Sequence, residues 1–382
     1  MSVFDSLIDQ NETVAILKGA TIAAKNNQDE SQDMTHAWLF TGPPGSGRSN
    51  TALAFAAALL CANSGCNECI DCRTTLSGTH ADVELIKTEG LSIKIEEIRE
   101  LITRASWSPA VAQYRVVIIE DADRLTESAA NALLKAIEEP GLRTVWLLCA
   151  PTLGDVTPTI RSRTRNLTLR TPSIKAVREL LECESINPQI AELSARASQG
   201  HIGRARFLAN SPAARSQRRD ILKVPLTITD IASAFKCAQI LVDAAKREAE
   251  IEAERLNEAE TGAFKEAWGQ QGTRVVQGGA KAIKDLEKEQ KSRQTRMVRD
   301  YLDRALLDIA TLYRDVLLVQ CGSLSDDSLV NFDIQKEINT VAKNTNATNT
   351  LRKLEAIMET RTNLSRNAAP LLALEALMVL LR

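Results

Sequence analysis

Three clusters in this 382-residue chain have residue types and spacing that could do chemistry. The first is TGPPGSGRS at residues 41–49, a glycine-rich turn between an apolar run and an amphipathic stretch. Backbone N–H groups of such a turn bind phosphate together with the N-terminus of the following helix. The predicted nucleotide-binding residues are Gly42, Pro43, Pro44, Gly45, Ser46, Gly47, Arg48 and Ser49. A glycine-rich turn that binds no ligand stays open as the alternative.

Arg48 occupies the position where the usual phosphate-loop pattern has lysine. A planar guanidinium does not reproduce the point charge of an ammonium group. Ser49 keeps the hydroxyl that would hold Mg²⁺. The loop therefore predicts weak binding of ATP and Mg²⁺ and brings efficient hydrolysis into question.

The second cluster is VVIIEDAD at residues 116–123, an apolar run that ends in acids. In nucleotide hydrolases an Asp at this point holds Mg²⁺ and a following Glu polarises the attacking water. Here the two acids are reversed, so Glu120 takes the metal position and Asp121 the base position. The alternative is that both acids only solvate a strand end and cap the next helix.

The third cluster is four cysteines within 12 residues: Cys61, Cys66, Cys69 and Cys72. Thiolates at this spacing can close tetrahedrally on Zn²⁺, and four protein ligands leave no position for a catalytic water. The sequence predicts a structural zinc site in the loop after the first helix of the nucleotide domain. Four free thiols are the alternative.

The elements that would position these clusters follow from the apolar pattern. Short apolar runs predict buried strands at Ala37–Thr41, Val83–Lys87, Val116–Glu120 and Val145–Ala150, with a last strand near residues 169–172. Helical patterns lie between them at Ser49–Cys61, Ile95–Ser106 and Glu127–Glu139. Alternating strands and helices predict an α/β domain with a parallel sheet at 1–172. A helical lid at 173–212 and a helical domain at 213–382 follow.

Residues 244–300 contain an unusual charge pattern. Lys246–Glu266 has seven Glu against four Lys or Arg, and Lys281–Arg299 has seven Lys or Arg against three acids. We expect an antiparallel helical hairpin over 230–320, with its tip near Gly269–Gly279. Exposed ion pairs contribute little, so apolar positions should also pack between the arms; these are Ile251, Leu256, Ile283 and Leu286. Two solvated helices that do not pair are the alternative.

The amino-acid composition argues against some classes of function. Lys and Arg total 47 against 49 Asp and Glu, and aromatic residues make up 4%. A protein with net charge −2 and few aromatics is poorly suited to bind nucleic acid over its whole surface. No apolar run reaches the roughly 18–20 residues that a membrane span needs, and the N-terminus is unlike a signal peptide, so we expect a cytoplasmic protein.

The phosphate loop, the cysteine insert, THADV at 79–83 and VVIIEDADRLTESAANALLKAIEEP at 116–140 together resemble the bacterial clamp-loader AAA+ proteins. Within that family the chain is most similar to the delta-prime type of DNA polymerase III subunit in high-GC Gram-positive bacteria. The N-terminal VFDSLIDQ at 3–10 and the ending at 367–377 extend the resemblance over the chain.

The resemblance implies a RecA-like AAA+ domain, a small helical lid and a helical collar that joins a hetero-pentameric ring. It implies gamma/tau-like motor subunits and a delta-like subunit as partners, with the sliding clamp and primer-template DNA reached through the complex. It also implies a role for Arg163, which by itself could be plain surface charge: the segment SRT at 162–164 matches the family motif whose arginine acts in trans on a neighbour's γ-phosphate.

Departures from the motor members favour a passive subunit. Arg48, the reversed Glu120 and Asp121, an apolar segment at 149–151 where a polar sensor is expected, and Gly203 at the place of the lid arginine all weaken one site. The leading hypothesis is a delta-prime-like subunit with little or no hydrolysis of its own. The alternatives are an active gamma/tau-like ATPase, although no polymerase-binding extension follows Arg382, and a zinc-ribbon nucleic-acid binder with a vestigial ATPase fold.

Overall fold

The computed structural model describes residues 2–26, 34–87, 92–141, 143–267, 279–322 and 329–382. The chain divides into two compact units, Met1–Ala209 and Asn210–Arg382. The three-domain division expected from the sequence stays a prediction. In the described residues, no helix is both long enough and apolar enough to cross a membrane.

The first unit is built on a five-stranded sheet in the order β2-β3-β4-β1-β5, in which every pair is parallel. The strands are β1 Ala37–Thr41, β2 Val83–Ile86, β3 Arg115–Ile119, β4 Thr144–Ala150 and β5 Arg165–Thr168. Every residue of β1, β3 and β4 is buried. These central strands read as continuous apolar runs because both faces of a parallel sheet are covered by helices.

The fifth strand differs from the expectation. A strand was expected near Leu169–Pro172, but β5 is Arg165–Thr168 and pairs with β1 alone. Its sequence, RNLT, is polar, and only Leu167 is buried. An edge strand in this position has no need of an apolar run, so the apolar pattern did not locate it.

Helices cover both faces of the sheet. They are α1 Asn11–Lys25, α2 Arg48–Leu60, α3 Ile70–Leu76, α4 Ile95–Ala105, α5 Glu127–Glu138 and the short α6 Pro158–Arg161, followed by α7 Ile174–Cys183, α8 Pro188–Ser198 and α9 Ile202–Asn210. Helix α2 is buried along most of its length and packs in the same core as Trp38 and Phe40 of β1. A second core lies under α4 and α5, around Trp146 and Leu148 of β4.

The second unit is helical. Its helices are α10 Pro212–Lys223, α11 Ile231–Ala267, α12 Gly279–Gln320, α13 Gln335–Asn344, α14 Ala347–Ser365 and α15 Pro370–Leu380. A buried polar network joins α10 to α12: Arg218 donates to Asp308 at 2.9 Å and also hydrogen bonds Asn331. Asp315 is fully buried and accepts from the backbone N–H of Asn331 at 2.7 Å.

Helices α11 and α12 lie antiparallel. Arg293 of α12 forms an ion pair with Glu260 of α11, and Gln217 bridges Glu248 and Tyr301 farther along the same pair. The expected tip falls on residues 268–278, outside the described residues.

The apolar contacts between these arms differ from the expectation. Ile251 is 64% exposed, while Ala249 and Ala253 are buried. Leu256 and Leu286 are half-buried, and the side chain of Ile283 lies outside the described residues. Small alanine side chains allow two helices to approach closely, so the isoleucine between them faces solvent.

Candidate functional site

The phosphate loop lies where β1 meets α2, at the carboxyl ends of the central strands. Gly45 and Gly47 both have φ near +90°, a backbone conformation that glycine adopts without steric cost. Gly47 is the N-cap of α2, and a Cβ atom there would meet no other atom within 4 Å. The hydroxyl of Ser46 is buried without a hydrogen-bond partner. A glycine-lined helix N-terminus with an orphaned hydroxyl has the chemistry to bind phosphate.

Arg48 is turned onto the loop itself. Its Nη1 donates a hydrogen bond to the carbonyl oxygen of Gly42 at 2.8 Å. The guanidinium is also close enough to Cys149 to lower the pKa of that thiol, although burial raises the pKa by more. The cation that should neutralise phosphate charge is therefore engaged with a backbone carbonyl of its own loop.

The two acids of the second motif lie beside this arginine. Ile119, the last residue of β3, pairs with Leu148, which brings Glu120 level with Cys149 of β4. The charges of both Glu120 and Asp121 act on the Cys149 thiol and raise its pKa. Glu120 pairs with Lys87 at 3.5 Å. The structure thus brings Arg48, Glu120 and Asp121 together around the buried Cys149.

Asp123, two residues farther along, belongs to the same electrostatic group. Burial is the main cause of the raised pKa of Asp123, and the neighbouring Asp121 raises it further. Arg124 and Arg48 oppose this change. The site therefore holds three acids near one phosphate-loop arginine.

His201, which the sequence analysis gave no role, contacts the phosphate loop. It lies between α8 and α9, and its Nδ1 accepts from the backbone N–H of Arg204 at 3.2 Å. A Cβ atom at Gly45 would lie 2.5 Å from the Cβ of His201 and 2.6 Å from its Cα. Any side chain at Gly45 would thus collide with this backbone. The turn between α8 and α9 thus lies against the loop, an approach that sequence spacing does not reveal.

The four cysteines form a second, separate site. Their sulfur atoms all lie within 4.8 Å of one another. Cys61 Sγ is 3.7 Å from Cys66 Sγ and 3.6 Å from Cys69 Sγ. Ligands at about 2.3 Å from a tetrahedral Zn²⁺ would lie about 3.8 Å apart, so the sulfurs fit this ion.

Backbone N–H groups favour the thiolate form of Cys61, whereas burial raises the pKa of Cys69 and Cys72. Asn63 and Cys66 direct their N–H groups at Cys61 Sγ, at 3.3 and 3.5 Å. Burial raises the pKa of Cys61, but the surrounding backbone N–H groups lower it by more, to about 6. Hydrogen bonds to sulfur favour the thiolate, which is the form that binds metal.

Helix α2 separates the two sites. It begins at Arg48 beside the phosphate loop and ends at Leu60, immediately before Cys61. Its 13 residues span about 20 Å at 1.5 Å per residue. The cysteine site is therefore too distant to take part in phosphate chemistry, which agrees with the structural role expected from its ligand count.

Arg163 lies on the surface near the end of α5, apart from the phosphate loop and the cysteine site. Its guanidinium pairs with Glu138 at the end of α5 and donates to the carbonyl oxygen of Thr159 at 3.1 Å and to Ser162 Oγ at 3.2 Å. The side chain is 40% exposed and that of Glu138 is 44% exposed. The structure thus does not bring Arg163 together with the chain's own phosphate loop through these contacts.

Asp82 is a structural residue whose role the sequence analysis missed. It is fully buried, and its carboxylate accepts the backbone N–H groups of Ala110, Val111 and Ala112 at 2.6–2.8 Å. Burial raises the pKa of Asp82, but these three hydrogen bonds together bring it below its usual value. The aspartate of the THADV segment holds the 110–112 loop in place, and a polar residue just before an apolar strand was the available signal.

Comparisons with known proteins show which proteins the chain is similar to. A family model described as the delta subunit of DNA polymerase III matches residues 18–173. The delta' subunit of Bacillus subtilis is 31% identical over 201 residues, 52% of this chain and 61% of that protein. The tau subunit of the same organism is 28% identical over 230 residues, 58% of this chain and 39% of that protein.

A solved structure of a DNA polymerase III gamma subunit-related protein from Thermotoga maritima is 18% identical to the chain, with a TM-score of 0.38. That match covers 75% of this chain and 99% of the other. The parallel α/β core with a helical C-terminal region, as expected from the sequence, is confirmed. The chain spans less than two thirds of the length of the two Bacillus relatives. The family model and these relatives show that part of the chain is similar to the delta' and tau subunits of DNA polymerase III.

Proposed function

We propose that the chain is a delta-prime-like subunit of the DNA polymerase III clamp loader. In this role it helps to load the sliding clamp onto primed DNA within a hetero-pentameric ring. Its partners are gamma/tau-like motor subunits and a delta-like subunit, and the clamp and primer-template DNA are reached through the complex. The chain is similar to both delta' and tau proteins, and both similarities support a clamp-loader role. The choice between the two types therefore depends on the nucleotide site.

The observation that carries the passive assignment is the hydrogen bond from Arg48 to the Gly42 carbonyl. A guanidinium held there has to leave its partner before it can contact a bound phosphate. A hydrogen bond with a charged donor contributes about 1.5–3 kcal/mol, and nucleotide binding would have to offset this loss. ATP and Mg²⁺ should therefore bind weakly.

The acids reinforce this assignment. Glu120 stands where an Asp would hold Mg²⁺, and it is already paired with Lys87. Asp121, one methylene shorter than the usual Glu, would leave the attacking water out of position. A displacement of about 1 Å in a catalytic group can cost about 100-fold in rate. Hydrolysis by this chain should thus be slow even when nucleotide is bound.

Arg163 is proposed to act as an arginine finger in the nucleotide site of a neighbouring subunit. Its pair with Glu138 is exposed, and exposed ion pairs contribute only about 0–1 kcal/mol. Release of the guanidinium for a neighbour's γ-phosphate therefore costs little. A cation in that position neutralises the charge that develops during phosphoryl transfer.

Arg163→Ala tests this role, with Arg161→Ala as a matched control two residues away. Arg161 is also at the end of α6 and donates to the Leu153 carbonyl at 3.2 Å. The Arg163→Ala protein should assemble with motor subunits at near-normal affinity, but its complex should show depressed DNA- and clamp-stimulated ATPase. The served site should lose roughly 10³-fold or more in rate, as for other arginine fingers.

Arg163→Lys should restore little, because an ammonium lacks the two-pronged donor geometry. The role is wrong if Arg161→Ala cripples the assembled complex while Arg163→Ala leaves its stimulated ATPase unchanged.

The four-cysteine site is proposed to bind one structural Zn²⁺. The ion would hold together the turn at 61–72, and metal binding energy would contribute directly to the folding of this segment. Elemental analysis of freshly purified, reduced protein should find about one zinc per chain. Cys69→Ser should lower the zinc content and increase hydrogen exchange first at residues 61–80, with the second unit unaffected. Metal-free wild-type protein would refute the proposal.

The motor-type alternative predicts a different result. A gamma/tau-like ATPase would hydrolyse ATP as an isolated chain, and Arg48→Ala would abolish that activity. The third hypothesis, a nucleic-acid binder, predicts tight binding of the isolated chain to DNA with a steep salt dependence. ATPase rate and DNA affinity measured on the same preparation therefore separate the three.

A further inference from the structure

Lys25, the last residue of α1, reaches into the four-cysteine site. Its Nζ donates to the carbonyl oxygen of Cys61, and to that of Ala62 at 2.9 Å. Its side chain is half-buried. Burial lowers the pKa of Lys25, and the nearby cysteine sulfurs oppose this change. The lysine lies 36 residues before Cys61, so only the tertiary structure brings them together.

The negative charge of the proposed metal centre would make the nearby lysine ammonium favourable. Four thiolates and one Zn²⁺ carry a net charge of −2, which is costly in a partly buried site unless a cation lies nearby. Groups outside the ligand set orient metal ligands and tune their basicity, and their loss typically costs about 10–100-fold in metal affinity or activity.

We propose that Lys25 is a positioning residue of the zinc site: its ammonium group offsets the negative charge of the four thiolates and holds the Cys61–Ala62 turn against α1. The inference rests on the proposed zinc site. The lysine would slow zinc loss in two ways, because it makes the thiolates poorer bases and because it restrains the backbone from which Cys61 projects.

A simpler role would be to cap α2. Cys61 follows the last residue of α2, and cations near a helix C-terminus are favourable without any metal. The two roles separate because a cap would stabilise the end of α2 with or without zinc. Compensation of the thiolate charge instead changes the reactivity of the zinc-bound thiolates.

Three substitutions of the full-length chain distinguish these roles. Lys25→Met removes both charge and donor, Lys25→Gln retains a donor without charge, and Lys25→Arg retains the charge. Lys18→Met is the matched control: Lys18 is exposed on the same helix, and its Nζ lies 6.0 Å from the centre of the Phe4 ring. Zinc transfer to a chromophoric chelator and alkylation of the zinc-bound thiolates by iodoacetamide are measured for each protein.

We expect Lys25→Met and Lys25→Gln to lose zinc about 10-fold faster than wild type or more, with faster alkylation. Lys25→Arg should stay close to wild type, and Lys18→Met should match it. Wild-type rates in Lys25→Gln would overturn the charge role, even if Lys25→Met fails to fold. Metal-free wild-type protein would instead refute the zinc site itself and the inference with it, so the two failures are distinguishable.

Discussion

At the scale of single residues, charged groups in this chain differ in their burial and in the number of hydrogen bonds they make. Asp82 is fully buried under three backbone N–H groups, whereas Arg163 rests on an exposed carboxylate. The first arrangement stabilises a loop, and the second leaves a cation available. Burial thus distinguishes the structural charge of Asp82 from the exposed charge of Arg163, for which a role in trans is proposed.

Asp82→Asn should destabilise the first unit by about 2–4 kcal/mol, because hydrogen bonds to a charged acceptor contribute about 1.5–3 kcal/mol each and an amide NH₂ cannot accept them. The folded pKa of Asp82 lies below its usual value. Its contribution is therefore complete above the unfolded pKa of about 3.9 and is lost as pH falls through the lower folded pKa.

Thermal unfolding checks this prediction. The gap in melting temperature between wild type and Asp82→Asn should be the same at pH 7 and pH 5, and should narrow only below about pH 4. Asp71→Asn is a control, since Asp71 is part-exposed and lies 3.6 Å from His80. A gap that disappears between pH 7 and pH 5 would contradict the assignment.

At the scale of elements, α11 and α12 share an apolar core, with residues such as Leu241 and Leu306, and also pair through a buried arginine. Arg293 is 8% exposed and contacts both Glu260 and Asn257 across the interface. The pair is thus partly removed from water, unlike the many solvated charges along both helices.

Arg293→Met should weaken the pairing of the two arms, because it leaves Glu260 without its buried partner. We expect a loss of roughly 1–3 kcal/mol, below the 3–5 kcal/mol typical of a fully buried pair, since Glu260 keeps some exposure. Hydrogen exchange along 245–260 and 290–302 measures it. Arg255→Met is the control, because Arg255 pairs with Glu252 on the same helix and is 68% exposed.

Glu260→Gln combined with Arg293→Met should recover part of the loss, because no charge is then left unpaired. Equal protection from exchange in Arg293→Met and wild type would show that the apolar contacts hold the arms without this ion pair.

At the scale of the whole molecule, the predicted phosphate loop and the cysteine site lie at opposite ends of α2, and His201 lies against Gly45 of the loop. The proposed passive role predicts that ATPase activity depends on neighbouring subunits.

The isolated chain should hydrolyse ATP near background, and its addition to motor subunits should raise the ATPase of the complex. A steady-state assay of the chain alone, of the motor subunits alone and of the mixture checks this. Ordinary AAA+ turnover by the chain alone, abolished by Arg48→Ala, would assign it to the motor type instead.

The sequence by itself determined the parallel α/β core, the cysteine cluster and the helical second half, and it predicted phosphate binding at the glycine-rich loop. Strands β1, β3 and β4 are fully buried, so their apolar runs were visible without any partner. The loop glycines and the cysteine spacing are patterns of residues close together in the sequence, so they can be recognised without knowledge of the tertiary structure.

Only the tertiary structure decided the features that depend on distant residues. It turned Arg48 onto Gly42, seated His201 on Gly45, exposed Ile251 and brought Lys25 to Cys61. It also placed a polar segment, RNLT, in the edge strand β5. Most of these contacts join residues far apart in the chain, or depend on which helix face meets a neighbour, and neither is encoded in the periodicity of a single segment.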